Sequence, residues 1–278
     1  MSPKLVKIVL TVSGLLLFVL LFIAPKTGSG SKSPEEPAKK QIAAMPDANA
    51  NVEMYLKMAT GTLEVNLKEN YETLLKQSPA NRDFLDSLVK FWDRLKRPDL
   101  ASYFAEKKAQ QLNSAESWFT AGNRYYYSVQ FTRDETERPV LYQSAIRSFR
   151  NGLKLQPDNN DAKIMLASCY VEGTPAPMEG ISLLKEVEKS DSNNVKLQLS
   201  FAFFSVKSGQ MDKAISRFNK VLQIDPTYIE AYLHLADIYE QMNNVDKTIE
   251  VLELYAAKTN DPTAKIEIEK YIKQLKTK

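Results

Sequence analysis

The chain repeats one spacing of small, aromatic and proline residues, and this periodicity constrains its fold more than any other feature. Residues three and four positions apart lie on one face of an α-helix, so the spacing predicts helices that pack through one face and end near a proline. Three sets of residues are separated by four, three and five positions: Leu67, Tyr71, Leu74 and Pro79; Ala145, Phe149, Gly152 and Pro157; and Ala214, Phe218, Val221 and Pro226. The repetition predicts one structural unit that is used several times.

A second pattern precedes such sets and predicts a partner helix. An aromatic or apolar residue is followed by a pair of small or apolar residues and then by tyrosine: Trp118, Ala121, Gly122 and Tyr125; Tyr232, Leu235, Ala236 and Tyr239; and, in part, Leu166, Ala167 and Tyr170. Gly209 separates two apolar helical stripes at 195–208 and 211–224, where a turn favours a left-handed backbone. One pair of helices cannot bury both of its faces, so neighbouring pairs must stack, and the predicted fold class is all-α.

Together the two patterns resemble the tetratricopeptide repeat (TPR) family, whose motif of Trp, Leu-Gly, Tyr, Ala, Phe and Pro spans 34 residues. Equivalent prolines or their replacements lie 34, 44, 35, 34 and 34 residues apart, at Pro79, Asn113, Pro157, Ser192, Pro226 and Asn260. The resemblance implies a TPR α-solenoid over residues 47–262, with about six helix-turn-helix repeats, and a capping helix at 263–278. The repeats are predicted at 48–81, 82–114, 115–159, 160–194, 195–228 and 229–262.

The first 24 residues predict an N-terminal transmembrane helix. Residues 8–24 carry no charge over 17 positions and follow a short basic start with Lys4 and Lys7. A cleaved signal peptide has the same two features and remains an alternative, although Pro25 is a poor cleavage context. Residues 25–46 are rich in Gly, Ser, Pro and Lys, which predicts a flexible linker. We expect a single-pass membrane protein whose body is extracytoplasmic (periplasmic if bacterial), and a cytoplasmic body remains open.

Composition disfavours most kinds of chemistry. The net charge of +3 is too small for a dedicated nucleic-acid binder, and the chain lacks a glycine-rich phosphate loop. A single cysteine, Cys169, and a single histidine, His234, leave no metal site of the usual Cys and His types. Cys169 is expected in the core and His234 on the surface or in a groove. We therefore expect no enzyme activity, no cofactor, no metal and no nucleic-acid partner.

The resemblance also implies where a partner binds. In TPR proteins the first helix of each pair lines a concave groove, and the side chains not used in packing face the ligand. The positions implied here are Phe119, Asn123, Tyr126, Tyr127, Ile164, Ser168, Leu199, Phe203, Val206, Leu233 and Asp237. Asn123 matches a residue with which chaperone-binding members hold a peptide carboxylate, but Phe119 replaces the accompanying lysine. A protein or peptide ligand with apolar or aromatic segments therefore fits better than a charged C-terminal tail.

The interval of 44 residues places an insertion between Tyr125 and Ala145. It adds the aromatic residues Tyr126, Tyr127 and Phe131 and then a polar run at 132–138. Loops longer than a fold requires often carry recognition, but a solvated loop is commoner, and both interpretations stay open.

The function that these features favour is a membrane-anchored scaffold for protein–protein interaction, in assembly or recruitment at the cell envelope. Two alternatives remain. One is a holdase-like helper that grips unfolded apolar segments near a translocon or a cofactor-attachment machine. The other is a fixed structural subunit of a larger membrane complex. Promiscuous binding of unfolded peptides would favour the helper, and the absence of such binding would favour the fixed subunit.

Overall fold

The computed structural model describes residues 48–78, 83–132 and 135–277, which contain thirteen α-helices and no β-strand. The all-α prediction is confirmed for these residues. They divide into two compact units, one ending at Val187 and the other beginning at Glu188. The first unit contains α1 (Ala48–Gly61), α2 (Val65–Gln77), α3 (Asp83–Arg94), α4 (Pro98–Leu112), α5 (Ala115–Ser128), α6 (Arg138–Leu155), α7 (Asn160–Gly173) and most of α8 (Pro177–Ser190). The second contains α9 (Val195–Lys207), α10 (Met211–Ile224), α11 (Glu230–Gln241), α12 (Val245–Lys258) and α13 (Pro262–Lys276).

Short polar side chains fix where several helices begin. Each accepts a hydrogen bond from a backbone N–H two or three residues ahead, which satisfies a donor that the first helical turn leaves without a partner. These capping residues are Ser114, Asn159, Asn194, Asn244 and Asp261, ahead of α5, α7, α9, α12 and α13. Proline in the first turn of α4 and α13 adds a fixed φ without the loss of a hydrogen bond.

In the first unit, helices α2 to α6 each contact the next helix along the chain. Ala145 and Phe149 of α6 are fully buried, as the repeated spacing predicts. A Cβ added to Gly122 of α5 would lie 3.0 Å from the Phe149 ring, so glycine allows this ring to lie directly on the α5 backbone. The paired small and aromatic positions of the motif are therefore a packing device between consecutive helices.

Helix α1 departs from this stacking of neighbours, because it contacts α4 and α6. Val52 of α1 shares a buried apolar cluster with Tyr103 of α4 and Val140 of α6. The Tyr103 hydroxyl also donates a hydrogen bond to Glu53 at 3.1 Å. Val140 lies in the first turn of α6, which has 18 residues. Part of the predicted insertion is thus helical and serves to hold the first helix.

In the second unit, helices α9 to α12 also contact their successors along the chain. Ala214, Phe218 and Val221 of α10 are fully buried, which confirms their predicted packing role. Gly209 joins α9 to α10 with φ at 73°, the left-handed conformation that the sequence predicted. Helix α13 buries one face against α12 and exposes charged residues on the other. Its buried residues are Ala264, Ile268, Tyr271, Ile272 and Leu275.

Within the described ranges, no helix combines the length and the apolar character needed to cross a bilayer. The predicted membrane anchor at 1–24 and the linker at 25–46 lie outside these ranges. The anchor, the linker and the side of the membrane on which the body lies therefore remain predictions.

Candidate partner-binding surface

The residues predicted on α5 differ in how far they reach the surface. Phe119 is half-buried, and its ring covers Gly152 of α6 so closely that an added Cβ would lie 2.4 Å from it. Asn123 is half-buried as well, and Tyr127 exposes 52% of its surface. These three side chains keep accessible surface for a partner, and their role in binding remains a prediction.

Tyr126 has a different environment from its neighbour Tyr127. It exposes 4% of its surface, and its hydroxyl donates to the Glu172 carboxylate of α7 at 3.0 Å. The Tyr142 hydroxyl of α6 donates to the same carboxylate at 3.1 Å. Burial, reinforced by the Glu172 charge, raises the pKa of Tyr126 well above its usual value. Tyr126 thus links three helices and has a packing role, and only 4% of its surface is open to the predicted contact with a ligand, which remains a prediction.

Ile164 and Ser168 on α7 are buried too, with 3% and 7% of their surfaces exposed. The Ser168 hydroxyl donates to the Ile164 carbonyl within the helix at 3.2 Å. Neither offers a partner much surface. Cys169, next along α7, is fully buried, and burial raises the pKa of its thiol well above the usual value. The expected core position of Cys169 is confirmed.

A buried acid ties α4 to α5 and α6. Glu106 exposes 2% of its surface and accepts a hydrogen bond from the Tyr125 hydroxyl at 2.8 Å. Arg147 donates from Nε to one Glu106 oxygen at 2.7 Å and from Nη2 to the other at 2.8 Å. Both carboxylate oxygens are therefore satisfied from within the first unit.

In the second unit, the predicted residues of α9 form a stripe. Leu199, Phe203 and Val206 are spaced by four and three positions, and all three are half-buried. The Phe203 ring lies edge-on to Phe218 at 5.4 Å and to His234 of α11 at 5.0 Å. The stripe therefore has partly accessible apolar side chains above a fixed aromatic layer.

His234 belongs to that aromatic layer. Its ring stacks on Phe218 with centroids 5.0 Å apart, and burial lowers its pKa to about 4. The imidazole is consequently neutral at pH 7. In the described ranges, no group of three or more His, Cys, Asp or Glu side chains is arranged to hold a metal ion.

The corresponding stripe of α11 changes from apolar to acidic. Leu233 is buried, Asp237 is half-buried, and Glu240 follows at the next position of the stripe. Asp237 accepts a hydrogen bond from the Gln241 amide at 3.0 Å, and burial raises the pKa of its carboxyl. Glu240 accepts from the Tyr271 hydroxyl of α13 at 2.6 Å. The other Glu240 oxygen, Oε2, is buried and accepts no hydrogen bond from the described residues.

Sequence reasoning included Asp237 in the predicted surface but missed Glu240. The signal was available, because Glu240 stands one repeat of 34 residues after Val206, just as Asp237 does after Phe203. Helical periodicity also places Asp237 and Glu240, three positions apart, on one face of α11.

The insertion after α5 has both buried and exposed parts. Val129 is buried, whereas Phe131 exposes 60% of its surface. Arg138 pairs with Glu135 at 3.2 Å, and Thr132 donates a hydrogen bond to Glu137. Its contribution to recognition remains a prediction.

Helices α9 to α12 form two helix pairs. The positions of their small, aromatic and proline residues recur after 34 residues. This is the arrangement of the tetratricopeptide repeat fold. The model of the tetratricopeptide repeat family matches residues 205–266, from the end of α9 to the start of α13. The resemblance that the sequence suggested is confirmed over this stretch. The comparison with curated proteins found no match.

Several solved structures are similar to this chain. A tetratricopeptide repeat protein from Parabacteroides merdae is 14% identical with a TM-score of 0.52, over 82% of this chain and 87% of that one. YrrB, described as a TPR protein with an unusual peptide-binding site, is 20% identical with a TM-score of 0.44, over 72% and 99%. PilW, described as a type IV pilus biogenesis factor, is 16% identical with a TM-score of 0.48, over 81% and 99%. The first likeness supports the repeat fold, and the other two are too distant to add an argument.

Proposed function

We propose that the protein is a membrane-tethered TPR scaffold that binds an extended apolar or aromatic segment of another protein. The α9 stripe of Leu199, Phe203 and Val206 carries this proposal. Half-buried apolar side chains in a row on one helix face are a feature of surfaces that a partner completes. A binding role fits the repeats, whose paired helices supply an extended surface.

The layer beneath the stripe supports the proposal further. Phe203 packs edge-on against Phe218 and His234, which stack on each other, and these contacts restrict the orientations of its ring before a ligand binds. A preorganised surface loses less conformational entropy on binding, which strengthens the affinity that a small apolar contact can provide. In the first unit, Phe119, Asn123 and Tyr127 are the predicted positions that we propose as additional contacts.

The tether is a separate part of the proposal. Residues 8–24 would span the membrane, and the linker at 25–46 would have a root-mean-square reach of about 25 Å, enough to keep the body clear of lipid headgroups. Protease added outside sealed cells with a permeable outer layer should digest the body if it is extracytoplasmic. Full protection of the body would contradict that orientation.

The binding function can be tested with the full-length protein in detergent micelles and a phage-displayed library of random dodecapeptides. We expect enrichment of peptides with apolar or aromatic residues. A variant with both Leu199→Ser and Val206→Ser should bind the enriched peptides at least about tenfold more weakly, because it removes apolar contact area. Ile266→Ser is the matched control, since Ile266 is 66% exposed on α13, away from the stripe.

Three outcomes distinguish the functions. Enrichment of a few related sequences supports the scaffold. Similar affinity for many unrelated unfolded sequences favours the holdase-like helper. No enrichment at all contradicts the proposal and favours a fixed structural subunit.

A further inference from the structure

In the second unit, equivalent faces of two helices carry different side chains: apolar ones on α9 and acidic ones on α11. The α9 stripe is apolar, and the equivalent α11 positions one repeat later carry Asp237 and Glu240. The two helices meet where the Phe203 ring contacts His234, with centroids 5.0 Å apart. Asp237 lies three residues beyond His234, about 4.5 Å further along the α11 axis. Asp237 therefore lies within one helical turn of the point where α11 meets the apolar stripe, and Glu240 follows it on the same face of α11.

We infer that this surface selects protein segments in which an apolar side chain is accompanied by lysine or arginine. The inference rests on the proposed function and deepens it, because it names the chemistry of the ligand at the same surface. The apolar side chain of the segment would contact the α9 stripe. The cation would lie against the Asp237 and Glu240 carboxylates of α11.

The environment of Glu240 supports a cationic ligand. One of its oxygens accepts from a neutral tyrosine hydroxyl, and the other is buried without a hydrogen bond from the described residues. Glu240 is half-buried, but an individual carboxylate oxygen that is shielded from water without a hydrogen bond is costly, and a donated charge-assisted hydrogen bond would relieve that cost. This chain satisfies Glu106, a more deeply buried acid, with both donors of an arginine fork. A lysine or arginine of a partner would supply the same kind of donor to Glu240.

The geometry also sets the spacing within the ligand. Packed helices lie about 8–10 Å apart. An extended chain covers about 3.3 Å per residue, so about three residues span the distance from α9 to α11. We expect the basic residue to stand about three positions from the apolar one, on either side according to the direction of the bound segment.

The test uses the full-length protein in micelles and the same dodecapeptide library. Peptides enriched by the unmodified protein should carry lysine or arginine about three positions from an apolar residue. Peptides enriched by a variant with Asp237→Asn and Glu240→Gln should keep the apolar residue and lose the preference for the basic one. Replacement of the basic residue by norleucine in an enriched peptide should raise its Kd about tenfold or more, because a charge-assisted hydrogen bond is lost.

Glu269→Gln provides the control, since Glu269 is an exposed acid on α13 of the same unit, and it should leave the Kd unchanged. The norleucine peptide leaves the protein unaltered, so its result stands even where a variant folds poorly. Enriched apolar peptides without a basic preference, or an unchanged Kd with norleucine, would overturn this inference while leaving the proposed function intact. A library that yields no enriched peptide overturns both.

Discussion

The α4–α7 region of the first unit and the α9–α11 region of the second are built from similar pairs of helices, yet they treat their acids differently. In the first, Glu106 is satisfied by Arg147 and Tyr125, and Glu172 accepts from two tyrosines. In the second, one Glu240 oxygen accepts a hydrogen bond from the Tyr271 hydroxyl. The other oxygen is buried and accepts no hydrogen bond from the described residues. The comparison teaches that an acid on such a helix pair can hold the fold through donors of its own chain, or keep an acceptor atom that we propose for a partner.

The difference between the two regions is tested most strongly by neutralising one acid in each of them. Glu106→Gln should lower the free energy of unfolding by about 2–3 kcal/mol, because Arg147 and Tyr125 lose a charged acceptor in a largely buried site. Glu240→Gln should change it by less than about 0.5 kcal/mol, since the donor to Glu240 given by the described residues is the neutral Tyr271 hydroxyl, which an amide oxygen can also accept from. Urea unfolding followed by circular dichroism measures both.

Equal losses for Glu106→Gln and Glu240→Gln would mean that both acids hold the fold. The difference between the two regions would then disappear, and with it the reason to assign a ligand to the second.

The sequence predicts the packing positions of this fold well. Ala145, Phe149, Ala214 and Phe218 were expected in the core from spacing alone, and all four are fully buried. The reason is physical: a face that packs against the next helix must be apolar and small or aromatic at fixed helical intervals. The left-handed turn at Gly209 could be predicted because few other residues adopt that conformation without strain.

The contacts made by the other helix faces could not be predicted from spacing in this way. The sequence places Tyr126 on the helix face that was predicted to line the groove. In the structure its hydroxyl instead donates a hydrogen bond to Glu172, which lies 46 positions later in the chain. The contacts of α1 with α4 and α6 likewise depend on Val140, a residue of the insertion. Both contacts join residues far apart in the chain, and periodicity within one helix carries no information about them.

The neighbouring tyrosines of α5 provide a second stability test, for which we expect a smaller change in the free energy of unfolding. Tyr126→Phe should lower the free energy of unfolding by about 1 kcal/mol, because Glu172 loses one of its two tyrosine donors. Tyr127→Phe is the matched control on an exposed side chain and should stay within about 0.5 kcal/mol of the unmodified protein. If the two variants unfold alike, the hydroxyl of Tyr126 contributes nothing to the fold, and its predicted role in binding regains support.

Hydrogen exchange of the full-length protein, with and without a peptide enriched from the library, tests the central claim most directly. Backbone amides exchange more slowly where a ligand stabilises the helix that carries them. The account predicts slower exchange in α9 and α11 when the peptide is bound, with little change in α4, α6 and α7, which carry none of the proposed contacts. Slower exchange confined to α4–α7 or to the exposed face of α13, with α9 and α11 unaffected, would contradict it.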